Sequence, residues 1–451
     1  MARITNVRVE QLLDYFDHEI EFPPAWHYIL LYGPNGVGKT KLLELLHSVY
    51  RCEFDAAIAI PFQRLTVGHE DGSVLQVRRS QEPGNSELKL DIDLQQVGQT
   101  LPLPGLESTL SGQYFDFGGS RIRQYLLERS TWRPVTGSLW RDMDDGEYAD
   151  WDELLERFRG IADRSGVRLV KNPEIPRTIT KFLQATPTHF IATQRLLYTM
   201  PQRRRFVNRD GASQQITIAA YSDDLKMQLS RALTENSKRT QQLDRSFPKR
   251  VLEMNRHDID SEEIRERYEE QSKKRSELAE IGLIGWEVDL PLPNRDLNSW
   301  ELNVLQTYLD DTDQKLQTFD DIAARVSLLR EIANNRFFNK TLTVSIEEGI
   351  IVKRNSDGMV IPPTSLSSGE QHELVLLYDL LFNVSRNALV LIDEPEISLH
   401  IAWQKSFIND IARIAELASL RFIIATHSPQ IINKSWDQTA ELGPHMHEDP
   451  Q

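Results

Sequence analysis

The sequence predicts an α/β fold in which a buried sheet is joined to an antiparallel β subdomain and to an inserted helical region. Two almost unbroken apolar runs, residues 26–32 and 388–392, are typical of strands covered on both faces. Residues 62–94 alternate instead between apolar and polar side chains, which indicates antiparallel strands joined by turns. Two long polar segments with few glycines, residues 224–283 and 302–338, predict helices.

The second helical segment carries a heptad-like spacing of apolar residues. Steps of four and three residues from Leu305 to Phe337 meet an apolar side chain at eight of ten positions. This spacing favours a coiled-coil-like seam against another helix, while an ordinary amphipathic helix on a globular core is an equal alternative. Pro291 and Pro293 lie in the break between the two segments, which favours a helical hairpin.

Composition and charge exclude several classes of protein. The formal net charge of −15 disfavours nonspecific coating of nucleic acid, although it leaves room for a local basic groove. No run approaches the ~18 apolar residues of a membrane span, and the N-terminus is charged where a signal peptide needs an apolar segment. The single cysteine, Cys52, excludes an internal disulfide and fits a reducing compartment. We therefore expect a cytoplasmic protein that does not contact a membrane.

A glycine-rich loop lies between a predicted strand and a predicted helix. It fits the pattern G-x-x-x-x-G-K-[ST] without a mismatch. Backbone N–H groups can approach phosphate oxygens there, and the following helix N-terminus adds favourable partial charge. Lys39 is expected to reach the β- and γ-phosphates of ATP, and the Thr40 hydroxyl to bind Mg²⁺. The alternative is a strand–helix turn without a ligand. The nucleotide-binding residues predicted here are Gly33, Pro34, Asn35, Gly36, Val37, Gly38, Lys39 and Thr40.

A second predicted apolar strand, residues 388–392, is followed directly by two carboxylate side chains. Asp393 is expected to position Mg²⁺, and Glu394 to polarise the attacking water. The alternative is an ordinary strand that ends in acidic turn residues. The position of this strand after a glycine-rich loop disfavours that alternative.

Small residues precede a strongly helical apolar run that begins near Leu374. A glycine and serines before a helix N-terminus form a further site for phosphate oxygens. Taken alone, the segment is better explained as a helix cap with Glu370 in the first turn. Its place just before the acidic strand favours phosphate binding. The residues concerned are Ser367, Ser368, Gly369 and Glu370.

A histidine, His427, lies at the end of a predicted buried strand that begins at Arg421 and is apolar over residues 422–425. A neutral histidine at a strand end can hydrogen-bond a γ-phosphate or orient the attacking water, whereas a lone histidine in such a place is usually structural. The choice between these interpretations depends on the neighbouring motifs.

Taken in chain order, these segments resemble the ATPase head of the ABC superfamily. Residues 33–40 resemble its Walker A loop, residues 366–370 its signature, residues 389–394 its Walker B strand with the catalytic glutamate, and His427 its switch histidine. The resemblance implies an α/β P-loop NTPase head that binds ATP and Mg²⁺ and hydrolyses ATP.

The same resemblance implies further roles. Gln194, after the predicted strand 189–193, corresponds to the Q-loop glutamine that contacts Mg²⁺, and a surface or capping glutamine is the alternative. The signature of one subunit caps nucleotide held by another, so Ser367 and Gly369 would act in trans within an ATP-bridged homodimer or a higher oligomer. His400 stands where the D-loop usually carries an aspartate, which puts the usual contact across the dimer in doubt.

The amino-acid sequence of residues 393–400 and 425–430 is more similar to the RecF, SMC and overcoming-lysogeny group of ATPases than to transporter ATPases. Within that group the chain resembles ATPase subunits of bacterial anti-phage systems of the Septu and PARIS types. The resemblance implies a separate toxin or nuclease effector subunit, and we expect no nuclease domain after His427. The alternative is a DNA-repair ATPase that clamps DNA. The basic run 203–205 would contact nucleic acid or a phage product, or would form a solvated face.

At 451 residues the chain is long enough for two to three structural units. The head is expected to be interrupted by two insertions and followed by a disordered tail. The predicted order is an N-terminal head part (1–100), an irregular or helical insertion (101–185), the Q-loop region (186–215), a helical hairpin or coiled-coil-like insertion (216–338), a C-terminal head part (339–442) and the tail (443–451).

Overall fold

The computed structural model describes residues 3–81, 88–96, 99–108, 126, 130–134, 139–142, 148–150, 154, 177–191, 212–253, 260–285, 291–362 and 365–443. The chain divides into two compact units. The first comprises Met1–Val207 with Asn383–Gln451, and the second comprises Asn208–Phe382.

The described secondary structure alternates between strands and helices along the chain. The strands are β1 (Ile4–Leu12), β2 (Phe16–Glu21), β3 (Tyr28–Tyr32), β4 (Arg64–His69), β5 (Val74–Gln81), β6 (Leu88–Gln96), β7 (Gln99–Ser108), β8 (Trp132–Pro134), β9 (Leu139–Asp142), β10 (Tyr148–Asp150), β11 (Thr188–Ile191), β12 (Lys340–Ser345), β13 (Gly349–Arg354), β14 (Val360–Ile361), β15 (Leu389–Asp393), β16 (Arg421–Ala425) and β17 (Thr439–Glu441). The helices are α1 (Lys39–Tyr50), α2 (Phe54–Ala59), α3 (Arg177–Gln184), α4 (Ala212–Glu253), α5 (Ser261–Glu280), α6 (Ser299–Gln317), α7 (Asp320–Arg336), α8 (Ser368–Tyr378), α9 (Ile401–Ala418) and α10 (Pro429–Ile432). A π-helical turn covers Asp379–Asn383, and 3₁₀ turns cover Pro395–Ser398 and Trp436–Gln438.

A five-stranded parallel sheet forms the centre of the first unit. Its strand order is β11-β15-β16-β3-β17, and every neighbouring pair is parallel. Each residue of β15 and β16 is buried, which explains why residues 389–392 and 422–425 are apolar without alternation. Asp393 pairs with Ala425, and Ala425 pairs with Leu31, so the carboxyl ends of the central strands meet at one edge.

A six-stranded antiparallel sheet also belongs to the first unit. Its order is β2-β1-β4-β5-β6-β7, as the alternating pattern of residues 62–94 predicts. In β6 the apolar positions are buried and the polar positions between them are partly exposed. Val77 pairs with Ile92 and Leu75 with Leu94, and these side chains join one core with α1 and the parallel sheet. The predicted α/β class with an antiparallel subdomain is therefore confirmed.

Residues 101–185 contain described strands where the sequence predicted irregular or helical structure. β7 continues to Ser108, and β8, β9 and β10 form a small antiparallel sheet of their own. Trp132 and Trp140 are buried there. The pattern was missed because each of the three strands has only three or four residues, too few for a period of two to be recognised.

In the second unit, four long helices occupy the region where the sequence predicted two helical segments. α6 ends at Gln317 and α7 begins at Asp320, so Thr318 and Phe319 separate the two helices. At this point the Asn236 amide donates to the carbonyl of Lys315 and to the Thr318 hydroxyl. These bonds satisfy polar groups that a helix end leaves open. The apolar spacing continues across the break, and Phe319 is buried.

The second unit also contains β12–β14 and α8. The division at residue 382 thus places the predicted signature segment with the long helices, whereas the sequence analysis grouped it with residues 339–442. No helix among the described residues combines the length and the apolar character that crossing a membrane requires.

Candidate nucleotide-binding site

The glycine-rich loop joins the end of β3 to the start of α1, and two of its glycines have no room for a side chain. A Cβ atom on Gly33 would lie 2.1 Å from the carbonyl oxygen of Leu442. Gly38 has a φ of +93°, and its Cβ would lie 2.7 Å from a methyl carbon of Leu12. Both positions therefore require glycine, and the loop keeps a backbone that a phosphate can approach.

The helix that follows the loop has a polar N-terminus that suits an anion. Gly38 is its N-cap, no side chain caps it, and its first turn contains no acidic residue. The partial positive charge of the helix end is therefore not balanced by a carboxylate within α1. The arrangement is chemically suited to phosphate oxygens.

Lys39 is almost buried, with 6% of its surface exposed, and its Nζ donates to the carbonyl oxygens of Gly33 and Pro34 at 2.9 Å each. Burial lowers the pKa of Lys39, and the carboxylates of Glu394, Asp393 and Glu396 offset part of that decrease. The ammonium group thus lies within the loop, in the field of the acidic residues that follow β15.

Thr40 and Asp393 are 353 residues apart in the chain and are in direct contact. The Thr40 hydroxyl donates to Oδ2 of Asp393 at 2.9 Å, and Asp393 is 4% exposed. A hydroxyl and a carboxylate are hard oxygen ligands of the kind that Mg²⁺ prefers. Among the described residues, no group of three or more His, Cys, Asp or Glu side chains could hold a metal ion, and a magnesium ion bound with phosphates needs only one or two protein carboxylates. The two residues therefore fit the ion that the sequence predicts.

Glu394 lies directly after β15 in a left-handed backbone conformation, with a φ of +43°. Such a conformation is costly for a residue other than glycine and is often found at functional sites. The Glu394 N–H donates to the carbonyl of Ala425 at 2.9 Å, which joins the ends of β15 and β16. Oε1 of Glu394 lies 3.9 Å from Nε2 of His427, so the two candidate catalytic side chains face the same space.

Glu396 also belongs to this site, although the sequence motifs predict no role for it. Its Oε2 accepts from the Thr426 hydroxyl at 2.9 Å, and its Oε1 accepts from the backbone N–H of His427 at 2.6 Å. The sequence signal was present, because a carboxylate two residues after Glu394 follows the strand end. Only the adjacency of β15 and β16 identifies its partners.

Ser367 is the N-cap of α8 in the second unit, and Glu370 completes a capping box with it. The Ser367 N–H and hydroxyl donate to Oε2 of Glu370 at 2.8 and 2.9 Å. The Lys340 ammonium donates to both Glu370 oxygens at 2.8 and 2.7 Å. The local structure is thus the helix cap that the sequence analysis kept as an alternative, while Ser367 and Ser368 remain exposed and Gly369 is partly buried.

The pKa of Glu370 is lowered. Burial alone would raise it, since only 6% of the residue is exposed, but the hydrogen bonds from Lys340 and Ser367 together outweigh burial. The carboxylate form, which accepts both Ser367 bonds, is therefore retained to a lower pH than for an ordinary glutamate.

The structure brings together the glycine-rich loop, Asp393, Glu394 and His427 at the carboxyl edge of the parallel sheet. Ligands of α/β proteins commonly bind at this edge. The segment from Ser367 to Glu370 belongs to the second unit. Gln194 lies outside the described residues. His400 is exposed just before α9, and its carbonyl accepts from the N–H groups of Trp403 and Gln404.

Comparison with solved structures finds remote likenesses to SMC proteins. An Smc head domain with an extended coiled coil, bound to the C-terminal domain of ScpA, from Pyrococcus furiosus has 13% identity and a TM-score of 0.34, covering 96% of this chain and 91% of that one. A SmcHead bound to the C-winged helix domain of ScpA has 10% identity and a TM-score of 0.33, covering 95% and 91%. An SMC head domain from Thermotoga maritima has 11% identity and a TM-score of 0.29, covering 98% and 94%.

No curated protein matches the chain in sequence. A family of AAA ATPase domains matches residues 170–432, which is more than half of the chain. The matched range includes Ser367, Asp393, Glu394 and His427, and the glycine-rich loop precedes it. With its parallel sheet and its loop of the G-x-x-x-x-G-K-[ST] type, the chain is an α/β P-loop NTPase head that carries long helices, and it belongs to the AAA ATPase domain family.

Proposed function

We propose that the chain hydrolyses ATP in sites formed between two copies, and that it controls a separate effector subunit in anti-phage defence. The contact between Thr40 and Asp393 is the main support for the proposed ATP hydrolysis, because it joins the glycine-rich loop to the acidic strand end across 353 residues of sequence. The defence part is supported by the resemblance of residues 393–400 and 425–430 to the RecF, SMC and overcoming-lysogeny group.

In the proposed reaction, ATP and water give ADP and phosphate. Lys39 and the backbone of the loop bind the β- and γ-phosphates, and Thr40 and Asp393 hold Mg²⁺, which when bound neutralises phosphate charge. Glu394 orients a water and accepts its proton as the oxygen bonds to the γ-phosphorus and the bond to the bridging oxygen breaks. His427 contacts the γ-phosphate or that water. Gln194 is proposed to contact the metal.

In the proposed dimer, the signature segment of each copy contacts the nucleotide that is bound by the other copy. Ser367 and Ser368 are exposed at the N-terminus of α8, which is eleven residues long, and the Glu370 carboxylate in its first turn balances part of the partial positive charge there. In the proposed dimer, the segment from Ser367 to Glu370 of one copy covers the γ-phosphate held by the other. Glu370 keeps the N-terminus of α8 capped through its bonds to Ser367.

Mixing two inactive variants tests this contact between copies. Lys39→Ala removes the loop cation, and Ser367→Arg blocks the signature, so each variant alone is expected to be inactive. A mixed pair would keep one intact composite site, and ATPase activity is expected to return to about a quarter of the wild-type value for random pairing of two equivalent subunits. A mixture as inactive as its components would contradict sites shared between copies. Ser276→Arg, on an exposed face of α5, is the matched control for the added arginine.

Phage challenge tests the defence role. Cells that express the chain with its neighbouring genes are expected to resist phage, and Glu394→Gln is expected to abolish that resistance while the protein level stays unchanged. A small neighbour-encoded subunit is expected to co-purify with the chain. Unaltered phage sensitivity, together with salt-sensitive DNA binding by the purified protein, would instead indicate a repair ATPase that clamps DNA.

A further inference from the structure

We propose that Glu396 is a positioning residue that holds the His427 loop against the segment after Glu394, and so sets the geometry of the two candidate catalytic side chains. This inference rests on the proposed ATPase function. It extends that function to a residue that neither binds nucleotide nor contacts the attacking water.

Both oxygens of the Glu396 carboxylate are used by one short loop. Oε1 accepts from the backbone N–H of His427 at 2.6 Å, and Oε2 accepts from the Thr426 hydroxyl at 2.9 Å. Thr426 is fully buried. Hydrogen bonds to a charged acceptor are stronger than neutral ones, so this pair is a firm link between residues that are 30 positions apart.

Gln404 makes a second set of hydrogen bonds between the segment after Glu394 and the His427 loop. The Gln404 amide donates to the backbone carbonyls of Glu396 and Leu399 at 3.3 and 3.1 Å, and its oxygen accepts from the Ser428 hydroxyl at 2.8 Å. The Ser428 N–H donates to the Thr426 hydroxyl oxygen at 3.0 Å. The 3₁₀ turn at Pro395–Ser398 and the His427 loop are therefore joined both directly, through Glu396, and indirectly, through Gln404.

These links hold the backbone of the His427 loop against the segment that follows Glu394. The Glu394 backbone is fixed by its bond to Ala425, and the His427 backbone by its bond to Glu396. These two attachments hold the backbone positions of the two side chains, and Oε1 of Glu394 lies 3.9 Å from Nε2 of His427. A shift of 1 Å in a catalytic group can lower a rate about 100-fold, so loss of the Glu396 bonds is expected to reduce kcat.

Glu396 also contributes to the electrostatic field at Lys39, since its charge raises the pKa of that side chain. Two substitutions distinguish the effect of the Glu396 charge on Lys39 from the effect of its hydrogen bonds to the His427 loop. Glu396→Ala removes both. Glu396→Gln removes the charge, but its oxygen can still accept from His427, and its amide can donate to the Thr426 oxygen once that hydroxyl rotates.

The test is steady-state ATPase kinetics of both variants with Glu416→Gln, an exposed carboxylate on α9, as the control. For Glu396→Ala we expect kcat to fall about 10- to 100-fold with KM for ATP nearly unchanged. Glu396→Gln is expected to regain most of that loss, and the control to match the wild type. An unchanged kcat in Glu396→Ala would overturn the proposal. Equal loss of ATP binding in both Glu396 variants would also overturn it, because the charge at Lys39 would then be the cause.

Hydrogen exchange gives a measurement that does not depend on turnover. The His427 amide is expected to exchange faster in Glu396→Ala than in the wild type and to remain protected in Glu396→Gln. Equal exchange in all three proteins would overturn the positioning role. A wild-type protein that exchanges as expected but shows no ATPase activity would instead overturn the proposed function, and the catalytic consequence of Glu396 with it.

Discussion

Replacement of Lys39 by alanine is expected to abolish ATP binding at micromolar nucleotide. The Lys39 ammonium lies inside the loop, where it donates to the carbonyls of Gly33 and Pro34, and no other lysine of α1 is buried. Truncation of one partner of a desolvated charge pair costs about 2–5 kcal/mol. The Kd for ATP should therefore rise about 30-fold or more, as measured by calorimetry or by a fluorescent nucleotide.

The matched control for this substitution is Lys41→Ala. Lys41 lies two residues along α1, is exposed and pairs with Glu44 at 2.6 Å, so its loss removes a lysine charge without touching the loop. Its variant is expected to bind ATP as the wild type does, since exposed ion pairs contribute about 0–1 kcal/mol. Unchanged ATP affinity in Lys39→Ala would overturn the assignment of residues 33–40 as a phosphate-binding loop.

Glu394→Gln is expected to leave ATP bound and unhydrolysed. The substitution preserves the size of the side chain and leaves the contact between Thr40 and Asp393 intact, but it removes the carboxylate that would accept the proton of the attacking water. General bases typically contribute about 10²- to 10⁴-fold, and kcat should fall by that factor while the Kd for ATP changes little.

The same variant is expected to accumulate as an ATP-dependent dimer. Hydrolysis would normally release the two copies, so its loss should increase the dimer fraction in analytical ultracentrifugation with ATP and Mg²⁺, and removal of Mg²⁺ with a chelator should reduce it. Full turnover in Glu394→Gln would show that another group is the base. A monomer under all nucleotide conditions would contradict the shared active site.

Much of the fold class could be predicted because its signals are local. A strand covered on both faces is typically a continuous apolar run, and residues 388–392 and 422–425 supply such runs within a few residues each. The loop from Gly33 to Thr40 was recognisable because eight consecutive residues fit the pattern G-x-x-x-x-G-K-[ST]. The contacts that require glycine at positions 33 and 38 are with Leu442 and Leu12, which are distant in sequence. The alternation in residues 62–94 likewise follows from having one face of a sheet buried.

The short strands of residues 132–150 were missed because each is too short for a period of two to be recognised. The break between α6 and α7 was missed because a contact distant in sequence lies at it. Asn236 donates to the Lys315 carbonyl in the last turn of α6 from 79 residues away, and no pattern within residues 302–338 encodes that contact. Ser367 could be recognised as a cap, yet its anchoring by Lys340 through Glu370 depends on the position of β12.

The sequence alone predicted which side chains would bind a nucleoside triphosphate, since each motif is contained in a few consecutive residues. The tertiary structure decided which of those side chains meet. The parallel pairing of β3, β16 and β15 places Thr40 against Asp393 and the Glu396 carboxylate against the His427 loop. Strand order depends on non-local packing and hydrogen bonding, so only the folded chain specifies these contacts.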